Sequence, residues 1–155
     1  MLEYLDIYVI IYLSIRIKHL KTRREFVMAY TAIVFDEDTI LKLEEEYVAL
    51  TKNHTEDWEN KFHHLTVCMG TNSKGKYPFQ LGDRVKVKIT RLGHSPVVTA
   101  FRCELPEGKS VKSNVPHITC KVNRVDGGKP KHSNDISEWI EIDPFSVTGV
   151  VQVCE

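Results

Sequence analysis

The chain has 155 residues, 42% of them apolar and 27% charged, a composition that fits one packed domain rather than a disordered segment. The chain has 21 lysines and arginines and 21 aspartates and glutamates, so its formal net charge is zero. This balance excludes the class of strongly basic proteins that bind long nucleic acid nonspecifically. The four cysteines lack a CxxC pair and clustered histidines. They indicate buried free thiols in a reducing, cytoplasmic compartment and no zinc site.

Residues 1–27 are apolar but interrupted by charge. Their longest uncharged run, 7–15, is far shorter than the about 20 residues of a membrane-spanning helix, and acidic residues precede the basic cluster, unlike a secretory signal. We therefore predict an N-terminal extension outside the catalytic core and no transmembrane segment. A helix that packs on the domain or lies on a membrane surface stays open as an alternative.

From residue 28 to residue 155 the patterns predict a single domain. Asp36 is a suitable N-cap for a helix that places Ile40, Leu43, Tyr47 and Leu50 at helical spacing and covers one sheet face. Alternation and turn residues predict strands at 30–35, 62–69, 83–92, 97–105, 117–123, 139–142 and 145–153. Many strands and few helices favour an α+β fold with a largely antiparallel sheet.

Two strands carry the same short motif, histidine followed two residues later by threonine. Because residues i and i+2 of a strand point to one face, His64 and Thr66 should project together, and so should His117 and Thr119. Leu65 and Ile118, the residues between them, should enter the core. By the same parity His63 should face the opposite side, and Lys121 should share the face of His117.

Two histidines that face each other can cleave a phosphodiester without a metal or another cofactor. One removes the proton of the attacking oxygen, the other protonates the leaving oxygen, and an imidazole with a pKa near 6.5 suits either role. The hydroxyls of Thr66 and Thr119 can donate hydrogen bonds to the nonbridging oxygens. His54, His94 and His132 have no threonine two residues on, and we assign them no catalytic role.

A wider set of residues carries a resemblance to a family. The sequences HLT at 64–66, HITCKVN at 117–123, GGKP at 127–130 and SN at 133–134 resemble the Swiss army knife RNA repair-like branch of the 2H phosphoesterase superfamily. The resemblance covers about residues 30–153. It implies a two-lobed, LigT-like fold in which each lobe donates one motif to a central cleft. Sparse helix in the second half departs from the larger relatives and implies unequal lobes.

The resemblance also implies the substrates. Members act on 2′,3′-cyclic phosphates, 2′-5′ linkages or cyclic nucleotides, and they include RNA-end-healing phosphodiesterases and viral enzymes that degrade immune-signalling nucleotides. We therefore expect a metal-independent phosphodiesterase acting on an RNA end or a small nucleotide, with no stable protein partner, in the cytoplasm, or the host cytoplasm if viral. A catalytically idle nucleotide- or RNA-binding module and a structural protein remain the alternatives.

Five further residues are candidates for binding substrate. Gly127, Gly128 and Lys129 could offer backbone N–H groups and charge to a phosphate, although a hairpin loop would use the same residues. Lys121 could hold an anionic substrate, although a lysine on a half-exposed strand is usually only solvated. Tyr30, which begins the first strand, could stack on a base.

Overall fold

The computed structural model describes residues 29–155, so the prediction for residues 1–27 lies outside the described part of the chain. Residues 29–155 form seven strands, one α-helix and one 3-10 helix. In chain order these are β1 (Tyr30–Val34), α1 (Glu37–Thr51), β2 (Glu59–Asn60), β3 (His64–Met69), β4 (Arg84–His94), β5 (Val98–Glu104), β6 (His117–Val122), the 3-10 helix (Pro130–Asp135) and β7 (Glu138–Cys154).

Six of these strands close into an antiparallel barrel. Neighbouring strands follow the order β6-β3-β1-β7-β4-β5, and β5 pairs back onto β6, from Val98 opposite Val122 to Arg102 opposite His117. The short β2 pairs with β6 as an extra strand. The prediction of an α+β, two-lobed 2H phosphoesterase fold around a central cleft is wrong. The β5–β6 ladder closes the strands around one interior, which leaves a mostly β molecule without separate lobes.

The C-terminal strand is longer than the sequence pattern indicated. The strands predicted at 139–142 and 145–153 are one strand of 17 residues, β7, which pairs with both β1 and β4. Its register against β4 shifts between Ile89 and Arg91, which pair with Phe145 and Glu141. Pro144 lies in this irregular stretch, where a missing N–H is tolerated. Pro144 therefore interrupts the alternation in the sequence without ending the strand.

Helix α1 begins after Asp36, whose carboxylate accepts a 2.8 Å hydrogen bond from the Thr39 N–H, the geometry of an N-cap. Leu43 and Tyr47 are fully buried, whereas Leu50 at the end of the helix is exposed. The helix therefore contributes Leu43 and Tyr47 to the main core, and Ile40 packs against that core, while Leu50 stays outside. No helix within residues 29–155 is long and apolar enough to cross a membrane.

The main core fills the barrel interior. Alternating residues of the strands point inward, as on β4, where Val85, Val87 and Ile89 are buried and the lysines between them are exposed. Three cysteines are also buried, and all four cysteines of the chain are free thiols, in agreement with their predicted state. The buried side chains of this core are Ile33, Phe35, Leu43, Tyr47, Phe62, Leu65, Val67, Cys68, Phe79, Val85, Val87, Ile89, Phe101, Cys103, Val111, Ile118, Cys120, Val147 and Val151.

A second, smaller core lies apart from the main core cluster. Val98, Ala100 and Val122 on β5 and β6 pack with Ile136, which directly follows the 3-10 helix. The Trp139 side chain covers this cluster and donates a hydrogen bond of 3.2 Å to the Ile136 carbonyl. The second core therefore fixes the 3-10 helix against the two strands that close the barrel.

Candidate functional site

Strands β3 and β6 bring the two histidine–threonine motifs side by side. The strands are antiparallel neighbours, and Leu65 pairs with Ile118, the central residue of the other motif. Both central residues are fully buried in the main core, and the four motif side chains, His64, Thr66, His117 and Thr119, are half-buried. All four line one cavity of about 430 Å³. The structure therefore brings the four residues predicted to be catalytic into a single site.

The backbone is irregular immediately before the first motif. Strand β2 and the segment after it pair with β6 in one register, which ends where the Phe62 N–H donates to the Thr119 carbonyl at 2.9 Å. The next pair is Leu65 with Ile118. His63 and His64 are therefore two extra residues on one strand, which is a β-bulge, and bulges often reorient side chains beside active sites. Phe62, fully buried, has a φ of 62°, a left-handed conformation that is uncommon for a bulky residue.

The bulge overturns the prediction for His63. The rings of His63 and His64 are nearly parallel and lie edge to edge, with centroids 4.9 Å apart and Nδ1 atoms 2.7 Å apart. Strand parity placed His63 on the opposite face, and this was wrong, because His63 precedes the strand and the bulge turns both side chains to one side. His63 and His64 together line a second cavity of about 290 Å³.

His117 is held in a defined tautomer. Its Nδ1 lies 2.8 Å from the Val115 carbonyl oxygen, and because that oxygen can only accept, Nδ1 must carry the proton. The other ring nitrogen, Nε2, is then the free base of the neutral ring. Burial lowers the pKa of His117, against the opposing effect of the hydrogen bond to Val115. At neutral pH the ring is therefore largely neutral and able to accept a proton.

His64 is the more strongly perturbed histidine. Burial, followed by the positive charge that His63, His117 and Lys61 can carry, lowers the pKa of His64 to about 4. The ring of Tyr30 lies against it, with centroids 5.3 Å apart, and burial together with Cys154 raises the pKa of the Tyr30 hydroxyl. Such displaced pKa values in a cleft are typical of functional sites.

The hydroxyl of Thr119 is oriented by a buried partner. Its oxygen lies 2.9 Å from the hydroxyl oxygen of Ser133, which is only 2% exposed. If Ser133 donates this hydrogen bond, Thr119 keeps its own proton for a ligand in the cavity. Ser133 lies on the 3-10 helix, so the second core that fixes this helix also positions the threonine.

The rest of the main cavity is polar and basic. Lys112 is held there by its backbone N–H, which donates to the Val67 carbonyl at 2.8 Å, and Ser113 contacts Asn134 on the 3-10 helix. The remaining lining residues are Met69, Pro130 and Lys131. Sequence reasoning did not single out Lys112, Ser113 or Met69, because a loop and a strand end give no periodic signal. Asn134 was among the residues that carried the resemblance, and Lys131 directly follows Pro130, which was another.

The second cavity continues the first. Both are lined by His64, Thr119 and Pro130, and the second adds Tyr30, Lys61 and His63. Tyr30, predicted to stack on a base, therefore lines the second cavity and not the main one. Among residues 29–155, no aspartate or glutamate lines either cavity. Lys112 and Lys131 line the first cavity, and Lys61, which is ion-paired with Glu59 at 2.9 Å, lines the second. The charge of this cleft, the two cavities taken together, favours an anion.

Lys121 does not line the cleft. The β5–β6 register shifts between Thr99 and Ala100, so strand parity reverses after Thr119 and Lys121 faces away from the motif. Its side chain is 6% exposed, and Nζ donates a 3.2 Å hydrogen bond to the Thr55 carbonyl. The prediction that Lys121 shares the face of His117 was wrong.

The glycine-rich loop also lies outside both cavities. The N–H groups of Gly127 and Gly128 donate to the carbonyls of Arg124 and Asn123, and the Lys129 N–H donates to a ring nitrogen of His132. All three N–H groups therefore donate within this part of the chain, and the structure does not bring Gly127, Gly128 and Lys129 together with the motif residues. The loop instead forms a tight turn that leads into the 3-10 helix.

Comparison with known proteins found no matching family model, no similar curated protein and no similar solved structure. Within residues 29–155, no group of three or more histidine, cysteine, aspartate or glutamate side chains is arranged to hold a metal ion.

Proposed function

We propose that the chain is a phosphodiesterase in which His117 and His64 act as the base and the acid. The observation that carries the proposal is the pairing of Leu65 with Ile118, which places two histidine–threonine motifs in one cavity. The described residues that line this cavity include two lysines and no carboxylate. The proposal rests on these side chains and not on a two-lobed fold, which the chain lacks.

The proposed reaction needs two proton transfers. Nε2 of His117 accepts the proton of the attacking water or ribose hydroxyl as its oxygen bonds to phosphorus. His64 donates a proton to the leaving oxygen on the opposite side as the scissile P–O bond breaks. Each transfer of this kind is worth roughly 100- to 10,000-fold in rate.

Thr66 and Thr119 stabilise the charge that develops on the nonbridging oxygens, and Lys112 and Lys131 neutralise the phosphate as it binds. In the proposed mechanism every role belongs to a side chain of this cavity, and no cofactor takes part.

The substrate class follows from the chemistry of the cleft and from the resemblance. We propose an RNA end with a 2′,3′-cyclic phosphate or a 2′-5′ linkage, or a small cyclic or linear oligonucleotide. The cavities of about 430 and 290 Å³ lie next to each other and share His64 and Thr119 as lining residues. In the proposed complex the phosphate binds at these two residues, and each cavity holds one nucleoside.

The test is a panel of 2′,3′-cyclic mononucleotides, 2′-5′ oligoadenylates and cyclic dinucleotides incubated with the full chain in excess EDTA. We expect cleavage of at least one substrate by the wild-type protein. His64→Ala and His117→Ala should each lower kcat by roughly 100-fold or more, and the double variant should be little slower, because groups that act together are not additive.

The control variant is His54→Ala, since His54 is exposed in the turn after α1 and lines neither cavity of the cleft. It should retain wild-type turnover. Binding of a nucleotide without cleavage would favour the idle binding module, and activity that EDTA abolishes and a divalent ion restores would contradict the proposed mechanism.

A further inference from the structure

His63 and His64 form a close pair whose geometry requires a shared proton. Their Nδ1 atoms lie 2.7 Å apart, a distance at which two facing lone pairs or two facing N–H groups would repel. One ring must therefore donate to the other. The edge-to-edge arrangement, with an interplanar angle of 21°, follows from the two-residue bulge and from the left-handed Phe62 before it.

The two members of the pair differ in their access to water. His63 is exposed, whereas His64 is half-buried between the Tyr30 ring and β6. A positive charge is therefore held at lower cost on His63, because burial disfavours the charged form of an imidazole. His64 is the ring that reaches the main cavity, and His63 lines only the second cavity.

We propose that His63 is a positioning residue that holds, on its exposed ring, the proton that His64 delivers to the leaving oxygen. The proposal rests on the proposed phosphodiesterase function. Charged His63 donates its Nδ1 proton to neutral His64, whose own proton is on Nε2. As the P–O bond breaks, the Nε2 proton passes to the leaving oxygen and the Nδ1 proton of His63 passes to His64. His63 is left neutral. Nε2 of His64 then takes a proton from water and the Nδ1 proton returns to His63, which restores the starting pair, so the proton count balances.

This arrangement resolves a conflict in the site. Burial and neighbouring charges keep His64 largely neutral at neutral pH, yet an acid must supply a proton. Burial lowers the pKa of His63 as well, but its ring is the more exposed of the two, so a protonated pair holds its charge on His63 and supplies the proton without a full charge on the buried ring. The charged and titratable groups around the pair are Lys61 beside it, Tyr30 on β1, His117 on β6, and Lys112 and Lys131 on the other wall of the cleft.

The leaving group provides a test that a merely structural role would fail. A natural ribose leaving group needs protonation, whereas p-nitrophenolate leaves without a proton. His63→Gln should lower kcat roughly tenfold or more on the natural substrate and displace the alkaline limb of its pH profile, which reports the acid. On a p-nitrophenyl phosphodiester the same variant should match the wild-type protein. His54→Gln is the matched control and should match on both substrates.

An NMR titration of the histidine rings in the full chain tests the pair without turnover. The Nδ1 nuclei of His63 and His64 should be scalar-coupled through the shared hydrogen bond, and His63→Gln should raise the pKa of His64. An equal loss of rate on both substrates, or separate rings that titrate independently, would overturn the role of His63. Absence of cleavage by the wild-type protein would instead overturn the proposed function, whether or not the rings are coupled.

Discussion

At the scale of single residues, the histidines of the cleft depart furthest from their behaviour in water. Burial is the first cause of the lowered pKa of His63, His64 and His117. All three rings are therefore more easily protonated in the unfolded chain than in the folded protein. This difference links the site to the stability of the whole molecule.

The linkage predicts that the protein loses stability in mild acid. Between pH 6.5 and about 4, the value to which the pKa of His64 is lowered, the unfolded chain binds protons that folded His64 does not. The free energy of unfolding should therefore fall as the pH decreases through this window, by roughly 1 to 3 kcal/mol. Urea unfolding at several pH values measures the slope.

Variants separate the contribution of His64 from that of other groups. His64→Gln should flatten the slope between pH 6.5 and 5, and the exposed His54→Gln should leave it unchanged. The Glu59 carboxyl, whose pKa Arg124 and Lys61 lower to about 2, contributes only at lower pH. A slope that is identical in wild type and His64→Gln would contradict the lowered pKa of His64.

The alternation of residues along a strand predicted the correct sheet face for some side chains and the wrong face for others, and the difference has a physical reason. Alternation correctly placed Leu65 and Ile118 in the core, because both lie within regular strand. It failed at His63, because this residue lies inside the two-residue bulge and not in regular strand. It failed at Lys121, because the one-residue register shift between β5 and β6 reverses the alternation after Thr119. A bulge depends on the partner strand, so the sequence of one strand cannot show it.

At the scale of elements, the 3-10 helix forms one wall of the cleft, and the turn before it decides its position. A Cβ added at Gly128 would lie 2.4 Å from the Val97 carbonyl oxygen and 2.6 Å from that of Asn123. Gly127 has a φ of +82°, but a Cβ added there would meet nothing within 4 Å. The two neighbouring glycines are therefore required for different reasons, close backbone packing and a left-handed conformation.

We predict that Gly128→Ala is more damaging than Gly127→Ala. The first substitution must push two backbone segments apart, at a cost of roughly 1 to 3 kcal/mol or more, while the second incurs only left-handed strain of roughly 1 to 2 kcal/mol. Gly128→Ala should also move Ser133 away from Thr119 and lower kcat. Thermal unfolding and turnover of the two variants measure both effects. Equal stability of the two would show that the loop adjusts freely.

At the scale of the whole molecule, the closure of the barrel is the feature that the sequence did not reveal. Turn residues and alternation located most of the strands, but they carry no information on which strands pair across long separations. The barrel is closed by the β5–β6 ladder, which runs from Val98 opposite Val122 to Arg102 opposite His117. Because of this ladder the protein has one interior instead of the two predicted lobes. Strand β6 carries the second motif and pairs with β5 on one side and with β3 on the other, so His117 and Thr119 lie next to the first motif.

Because all strands of the closed barrel lie between positions 30 and 154 of the chain, we predict that residues 28–155 fold without residues 1–27. The six-stranded ring, both cores and the described residues that line the cleft lie within that part of the chain. The truncated protein should therefore show a cooperative thermal transition, an unchanged β-type circular dichroism spectrum, and kcat within roughly twofold of the full chain, since no residue of the proposed chemistry is removed.

The matched control is the truncated protein with His117→Ala, which should fold equally well and lose turnover. A truncated protein that is unfolded, or folded but inactive while the full chain cleaves its substrate, would show that residues 1–27 complete the core or the site.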